Sequence, residues 1–353
     1  MEVLWIGKTG EANVWYHIYP FAKVKNINKV HIVRYKKPIR DIPNSVSYEF
    51  NGKPTIFGLV RTFLKSLYVI KNNKIDYIIT FNPMPWGIVA WLVSKYKNIP
   101  ISLGYIGEDF YQHVQTPGII SKLLLSITKR SNIVTVTGNN MSNALIKMGV
   151  RNENIIIYPH CVDDKWFIRD TGSSIKYDLI SVCKLEPRKR IQDILYALQD
   201  LKIKYSIILR FCLVGDGDEF ITLKSLAQSL GILNQVDFIG FQNDVLQYLK
   251  QSKIYVQTSE NEGLSLGLIE AMAHGLLPIT TIAGSEEDII LDCETGYFIE
   301  IGNVTSLVDK LLLTQNELNY NRIVKNINQI RKKFSIENAI EVCEVISQKL
   351  SLD

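Results

Sequence analysis

The sequence predicts an α/β protein of two doubly wound, Rossmann-like domains. Three observations lead to this prediction: the length of 353 residues, short β-branched runs that alternate with amphipathic helical stretches, and two such series of similar length. A single domain usually holds ~100–200 residues, so this length suits about two domains. Apolar runs separated by helical patterns are typical of parallel sheets covered by helices on both faces.

The strand candidates are short apolar runs rich in β-branched residues. In the first half they are Val3–Ile6, Val30–Val33, Tyr77–Phe81, Ile101–Tyr105, Ile133–Val136 and Ile155–Tyr158, and in the second half Leu179–Cys183, Ile207–Val214, Val236–Ile239, Ile254–Gln257 and Pro278–Ile282. A polar stretch at 169–174 separates the two series. We therefore predict domains at 1–168 and 175–334, with a final helix at 335–353 that packs back toward the first domain.

Composition narrows the class of protein. Hydrophobic residues make up 46% and charged residues 21%, enough for two ordinary cores. The five cysteines are scattered without a Cys-x-x-Cys spacing, which argues against a disulfide framework or a zinc cluster and favours a reducing cytoplasm. The beginning of the sequence does not resemble a signal peptide. The uncharged stretch between Asp76 and Lys95 is split by Pro83 and Pro85, so it predicts a buried strand and helix rather than a membrane span.

Charge is distributed unevenly along the chain. Residues 1–165 contain 21 Lys and Arg against 10 Asp and Glu, a balance of +11, whereas residues 166–353 contain 19 against 25, a balance of −6. A basic first half is consistent with an anionic partner, and equally with lysines that only make the domain soluble. The basic segments are 23–40 and the amphipathic stretch 119–129, and both would suit docking on an anionic membrane.

The most informative segment is Ser259–Gly275, which follows a predicted strand and is followed by another. It reads as a loop that becomes a helix at the carboxyl edge of the sheet, where open α/β folds bind ligands. Free amides near Gly263, Leu264 and Ser265, together with the helix dipole, would bind a phosphate.

Two carboxylates, Glu262 and Glu270, lie eight residues apart in this segment, or about 12 Å along a helix. That length is close to the distance from a ribose past a diphosphate to a sugar ring. Carboxylates accept hydrogen bonds from vicinal hydroxyls, so Glu270 suits the ribose and Glu262 the sugar. By spacing alone, two solvated glutamates on an amphipathic helix fit the pattern as well.

Glu262-Gly263 through Glu270-Ala271, followed by Gly275 and Pro278, resembles the E-x7-E signature of the family 4 retaining glycosyltransferases of the GT-B fold. Other segments resemble this family in the same order along the chain: Tyr158–Phe167 its hinge, Lys184–Lys189 its phosphate-binding turn, Leu213–Gly217 its glycine-containing strand end, Val236–Phe241 the stretch beside the nucleobase, and Ala283–Glu287 its G-G-x-x-E loop. The set spans roughly residues 155–300, and an ordered set is far more specific than any one member.

The resemblance implies that the two domains face each other across a cleft, and it implies a donor site for a nucleoside-diphosphate sugar. The residues that it implies for donor binding are Gly7, Gly10, Lys184, Lys189, Gly215, Phe238, Glu262, Gly263, Leu264, Ser265 and Glu270, with Lys189, Glu262 and Asp109 as catalytic residues. Gly7 and Gly10 belong to the first loop, and Asp109 to a G-x-D segment that follows Ile106, where the family has a histidine. Lys184 stands where the family has arginine, and Arg190 replaces the glycine that follows Lys189.

A front-face mechanism tolerates the missing histidine, because the leaving phosphate oxygen can take the acceptor proton. The enzyme then needs chiefly to stabilise charge on the departing diphosphate. The resemblance therefore implies a metal-independent transferase with no cofactor, in polysaccharide or glycan synthesis. Its expected partners are a nucleotide-sugar donor, a saccharide or lipid-linked acceptor and an anionic membrane surface, with no nucleic acid. We expect a cytoplasmic or peripheral membrane location.

Three other functions remain open at this stage. A sugar-nucleotide epimerase or phosphorylase of similar fold would share the donor site, and an inactive scaffold would fit the missing histidine. A dinucleotide dehydrogenase fits poorly, because the segment Gly215–Phe220 lacks a third glycine and its acids would repel a pyrophosphate.

Overall fold

The computed structural model describes residues 1–7, 11–36, 38, 40–49, 56–106, 110, 114, 118–158, 160–168, 174–262 and 265–352. The chain forms two compact units, one of Met1–Cys161 together with Ile336–Asp353 and one of Val162–Ser335. Each unit contains its own parallel β-sheet with helices, which confirms the predicted duplicated α/β architecture.

The first unit is built on a sheet whose neighbouring strands all run parallel. Its elements up to residue 161 are β1 (Glu2–Ile6), α1 (Glu11–Lys23), β2 (Lys29–Arg34), β3 (Ser45–Glu49), α2 (Ile56–Asn72), β4 (Tyr77–Phe81), α3 (Ile88–Lys97), β5 (Ile101–Gly104), α4 (Ile119–Lys129), β6 (Ile133–Val136), α5 (Asn139–Lys147) and β7 (Ile155–Ile157). The strand order is β3-β2-β1-β4-β5-β6-β7. The chain thus reverses its direction of winding between β1 and β4, as in a Rossmann fold.

The second unit repeats this order in a second parallel sheet. Its elements are β8 (Tyr177–Val182), α6 (Ile191–Tyr205), β9 (Phe211–Val214), α7 (Phe220–Ser229), β10 (Val236–Gly240), α8 (Leu246–Leu249), β11 (Ser252–Gln257), α9 (Leu266–His274), β12 (Leu277–Thr281), β13 (Tyr297–Ile299), α10 (Val304–Thr314) and α11 (Glu317–Ile330). The strand order β10-β9-β8-β11-β12-β13 places the reversal between β8 and β11.

The last helix, α12 (Ile336–Leu352), belongs to the first unit. It contacts α1, and the hydroxyls of Tyr77 and Ser347 lie 2.6 Å apart. The next residue of β4, Ile78, points to the other face of the sheet and packs with residues of α2 and α3. Leu103, on that same face of β5, packs with Ile127 of α4. Helices α2, α3 and α4 therefore cover the face of the first sheet opposite to α12 and α1.

The units divide between Cys161 and Val162, earlier than the predicted boundary at residue 168. Cys161 is buried in the first unit, where its thiol donates to the carbonyl of Tyr16 at 3.4 Å. Val162 pairs with Ser335 of the second unit and shares a hydrophobic cluster with Trp166. The segment 162–168 therefore packs with the second unit, and residues 169–173 of the predicted linker lie outside the described part of the chain.

Two edge strands, β3 and β13, have no counterpart among the predicted strands. β3 has the sequence Ser-Val-Ser-Tyr-Glu and is half-exposed, and β13 has only three residues. The predicted strand and helix in the uncharged stretch near Pro83 are confirmed as β4 and α3. Within the described residues, no helix combines the length and the apolar character that crossing a bilayer requires.

Candidate functional site

The candidate site lies at the carboxyl ends of β8 and β11, the adjacent strands at which the second sheet reverses its winding. Open α/β sheets bind ligands at such a switch point. Backbone hydrogen bonds join the loops that follow these strands. The amide of Glu260 donates to the carbonyl of Arg188 at 2.9 Å, and the Thr258 hydroxyl contacts the carbonyls of Lys189 and Arg190 at 2.9 and 3.0 Å. Side chains far apart in sequence therefore meet at one edge of the sheet.

The ammonium of Lys189 forms an ion pair with Oε1 of Glu262, so the structure brings two of the predicted site residues together. Both side chains are about nine-tenths buried. The Ser259 hydroxyl donates to the same carboxylate oxygen at 2.9 Å, and the Glu262 amide donates to the carbonyl of Ala283 at 3.0 Å. The position of Glu262 is thus set by contacts of both its side chain and its backbone.

Two further cations lie beside this pair. Arg188 NH1 lies 3.6 Å from Oε2 of Glu262, and its Nε donates to Glu186 at 3.0 Å. Lys184, which is mostly exposed, pairs with Oε1 of Glu186. The hydrogen bond from Lys184 and the charge of Arg188 hold the pKa of Glu186 below its ordinary value. The site therefore contains a third cation, Arg188, besides the predicted Lys184 and Lys189. In the sequence, only its position directly before Lys189 could have indicated this residue.

The N-terminus of α9 lies in the same loop region. Ser265 is the N-cap, and its hydroxyl accepts from the Leu268 amide at 3.4 Å. A Cβ at Gly267 would lie 2.8 Å from the Tyr255 hydroxyl and 3.0 Å from the Val182 carbonyl, so glycine lets the first turn approach β8 and β11 closely. Gly263 and Leu264, predicted to bind phosphate through their amides, lie outside the described residues.

Glu270 lies in the second turn of α9 and is about nine-tenths buried. Burial raises the pKa of its carboxyl to about 8, with the charge of Lys165 opposing and those of Asp244 and Asp163 adding to the shift. Within the described part of the chain, no hydrogen-bond donor reaches this carboxylate. A buried acceptor of this kind is available for the hydroxyls of a ligand.

A third carboxylate, Glu286, supports the loop after β12. Its Oε2 accepts from the amides of Ala283 and Gly284 at 3.1 and 2.6 Å, and its Oε1 accepts from Gln257 at 2.9 Å. Burial raises the pKa of Glu286 to about 7, and the backbone donors oppose that shift. Because Ala283 also binds the backbone of Glu262, Glu286 positions the loop on which the site depends.

A cleft of about 780 Å³ opens beside the cations. Among the residues that line it are Lys184, Gly215, Gly217, Phe241, Gln242 and Val245. Gly215 has φ of 145°, and a Cβ there would lie 1.8 Å from the Cys183 carbonyl, so only glycine fits where the two strand-end loops touch.

Phe238 does not line this cleft. It packs edge-to-face on Phe220, with ring centroids 5.8 Å apart, against the hydrophobic core on one face of the sheet. The aromatic ring in the cleft is that of Phe241, which is mostly exposed. Alternation along β10 turns Phe238 toward the helices, whereas Phe241 follows the end of the strand at Gly240 and so lies at the carboxyl edge.

Comparison with known proteins agrees with this geometry. Residues 165–331 match the family model of the glycosyl transferases group 1. The chain is 26% identical over 295 residues to the N-acetyl-alpha-D-glucosaminyl L-malate synthase of Bacillus anthracis, an alignment that covers 80% of this chain and 77% of that protein. The second unit of the chain therefore resembles the glycosyl transferases of group 1.

Two further proteins similar to this chain are informative. The UDP-Gal:alpha-D-GlcNAc-diphosphoundecaprenol alpha-1,3-galactosyltransferase of Escherichia coli is 27% identical over 133 residues, which are 37% of this chain and 34% of that one. The crystal structure of Anabaena Alr3699/HepE in complex with UDP has a TM-score of 0.80 at 17% identity and covers 100% of both chains. The chain therefore has the GT-B fold class, as predicted.

The predicted site residues of the first unit are only partly described. Gly7 follows β1 at the switch point of the first sheet, where a Cβ would lie 2.9 Å from the Trp5 ring and 3.4 Å from the Phe81 carbonyl. Gly10 and Asp109 lie outside the described residues, so their predicted roles stay predictions.

Proposed function

We propose that this protein transfers a sugar from a nucleoside-diphosphate sugar to a saccharide or lipid-linked saccharide acceptor. The observation that carries the proposal is the buried pair of Lys189 and Glu262 at the switch point of the second sheet. This pair combines a cation for a leaving diphosphate with a carboxylate for sugar hydroxyls, next to a cleft large enough for a nucleoside.

Each part of the donor has a matching part of the site. The diphosphate would lie against the α9 N-terminus, Lys189 and Arg188, with Lys184 at the exposed side. The ribose would bind Glu270 and the base would stack near Phe241. The UDP bound by HepE favours uracil among the bases.

For the chemistry we propose retention of the anomeric configuration in a front-face reaction without a metal. The bond between the anomeric carbon and the phosphate oxygen breaks, the acceptor oxygen bonds to the same carbon, and the acceptor proton passes to the leaving phosphate oxygen. Negative charge accumulates on the diphosphate as it departs. Lys189 and the helix amides would stabilise that charge more strongly in the transition state than in the ground state.

The relatives differ in the acceptor that their names indicate. The name of the B. anthracis protein indicates L-malate, whereas that of the E. coli protein indicates a diphosphoundecaprenol-linked sugar. We favour a lipid-linked saccharide and a peripheral location on a membrane, because the first half of the chain has an excess of 11 positive charges over residues 1–165.

The test begins with thermal shifts in UDP, GDP, ADP and CDP, since a ligand at 100 times its Kd adds ~2.7 kcal/mol of stability. The matching nucleotide sugars are then incubated with the enzyme, and NMR follows nucleotide release and the anomeric proton of the product. Lys189→Ala should slow release by ~10²–10³, whereas Lys224→Ala, on the exposed side of α7, should not change it. Conversion of the donor sugar without release would indicate an epimerase, and binding without any reaction would indicate a scaffold.

A further inference from the structure

Helix α2 exposes four large apolar side chains. Phe57, Val60, Leu64 and Tyr68 follow one another at helical spacing and are exposed. The opposite side of the helix is apolar as well, because Leu59, Phe63, Leu67, Val69 and Ile70 pack with the core. An ordinary surface helix has one apolar stripe that faces the core, whereas α2 has a second one that faces outward.

The neighbouring helices extend this exposed apolar surface. The Lys71 ammonium lies over the Tyr96 ring of α3, 5.7 Å from its centroid, and Lys97 of α3 donates to the Ile70 carbonyl at 2.6 Å. Helix α4 contacts α3 in turn. We define the α2–α4 surface by its outward apolar side chains, which are Phe57, Val60, Leu64, Tyr68, Leu92, Tyr96, Ile119, Ile120 and Leu123.

The clustering of these side chains is specific to this face. They are between 47% and 89% exposed, and they make up nine of the twelve exposed large hydrophobic side chains among the described residues of the first unit. Single exposed apolar residues are ordinary, but a contiguous group marks a surface that binds something.

The charge of the three helices indicates what binds. Their sequences contain seven basic residues and no Asp or Glu: Arg61, Lys65, Lys71, Lys95, Lys97, Lys122 and Lys129. Apolar side chains interleaved with basic ones are the pattern of helices that lie in the interface of an anionic bilayer.

We infer that the α2–α4 surface docks reversibly on an anionic phospholipid bilayer. The inference rests on the proposed function at one point only, which is that a lipid-linked acceptor would be held in the bilayer. A second copy of the chain is a poor occupant, since a twofold interface would place seven positive charges against seven others.

This surface differs from the one that the sequence favoured. Of the basic segment 23–40, Arg34 is buried, and the Arg40 guanidinium stacks on Trp15 at 3.6 Å. The segment begins at the last residue of helix α1. This helix lies on the sheet face opposite to α2–α4. Only the stretch 119–129 belongs to both surfaces, so the exposed Lys23, Lys25 and Lys36 provide a matched control.

The test is co-sedimentation of the full chain with vesicles of phosphatidylglycerol and phosphatidylcholine at 0.1 and 0.5 M NaCl, with pure phosphatidylcholine vesicles alongside. We expect binding at low salt that weakens steeply at high salt. The triple variant Lys65→Gln, Lys95→Gln, Lys122→Gln should lose about 100-fold in partition coefficient. The control variant Lys23→Gln, Lys25→Gln, Lys36→Gln removes the same charge and should change binding by less than about threefold.

A second variant tests the apolar part of the surface. Phe57→Ser, Leu64→Ser, Ile119→Ser should lower binding at both salt concentrations, because it removes area that would enter the bilayer. Circular dichroism and a melting temperature close to that of the wild type show that each variant is folded, and failure of UDP binding in the wild type would count against the proposed function alone.

Three results would overturn the inference. The first is wild-type protein that ignores anionic vesicles at 0.1 M NaCl. The second is a control variant that loses as much binding as the α2–α4 charge variant. The third is a dimer in sedimentation velocity that the apolar variant dissociates, because the occupant would then be a second copy.

Discussion

Donor binding should release a proton below about pH 8, because the Glu270 carboxyl is protonated in the free protein. Burial raises the pKa of this carboxyl from 4.5 to about 8, whereas accepting hydrogen bonds from two ribose hydroxyls favours the charged form. Binding of the donor at neutral pH is therefore coupled to ionisation of Glu270.

The size of the effect follows from the pKa of Glu270. With a pKa of about 8, roughly 1% of the carboxyl is charged at pH 6 and roughly half at pH 8. Donor affinity should rise about tenfold per pH unit below pH 8, which is ~1.4 kcal/mol per unit, and become flat above about pH 9. The stability of the free protein should change with pH in the opposite direction to donor affinity. Because the pKa of Glu270 is raised in the folded state, its contribution to stability is present below about pH 4.5 and is lost as the pH rises toward 8.

Calorimetry of nucleotide-sugar binding between pH 6 and 9, in buffers of different ionisation enthalpy, measures both affinity and proton release. Glu270→Gln cannot ionise, so its affinity should not depend on pH. Glu286→Gln is the control. The Glu286 carboxylate already accepts hydrogen bonds from backbone amides, so this variant should keep the pH dependence of donor affinity. A wild-type affinity that is constant from pH 6 to 8, or a slope that survives in Glu270→Gln, would refute the assignment of Glu270 to the ribose.

Four other outcomes are expected. Lys189→Ala should lower turnover by ~10²–10³ with little change in melting temperature, and a wild-type rate for this variant would remove its phosphate role. Gly215→Ala should cost at least ~2 kcal/mol in urea unfolding because of the overlap with a carbonyl, against ~1 kcal/mol for Gly231→Ala, where φ is also positive but the space is open. Phe241→Ser should weaken UDP binding by ~1–3 kcal/mol by calorimetry, and equal affinities would place the base elsewhere. EDTA should leave turnover unchanged, whereas loss of activity that manganese restores would contradict a metal-independent reaction.

Local patterns in the sequence were enough for the central strands and for much of the site. A buried central strand such as β4 is a continuous apolar run, because both of its faces are covered. The edge strand β3 lacks this pattern, because it pairs on one side only and is partly exposed, and β13 is an apolar run of only three residues. Lys189 and Glu262 were identified from their own segments, which resemble a known signature, although 73 residues separate them.

The tertiary structure decided the properties that depend on residues distant in sequence. Which aromatic side chain reaches the cleft depended on where β10 ends, so Phe241 lies there and Phe238 lies in the core. The raised pKa of Glu270 depends on its burial in the folded unit, which spacing along a helix does not determine. The α2–α4 surface exists because three helices from separate segments lie side by side on one face of a sheet. A sequence specifies the side chains of each helix, but only packing determines which of them share a surface and which lose contact with water.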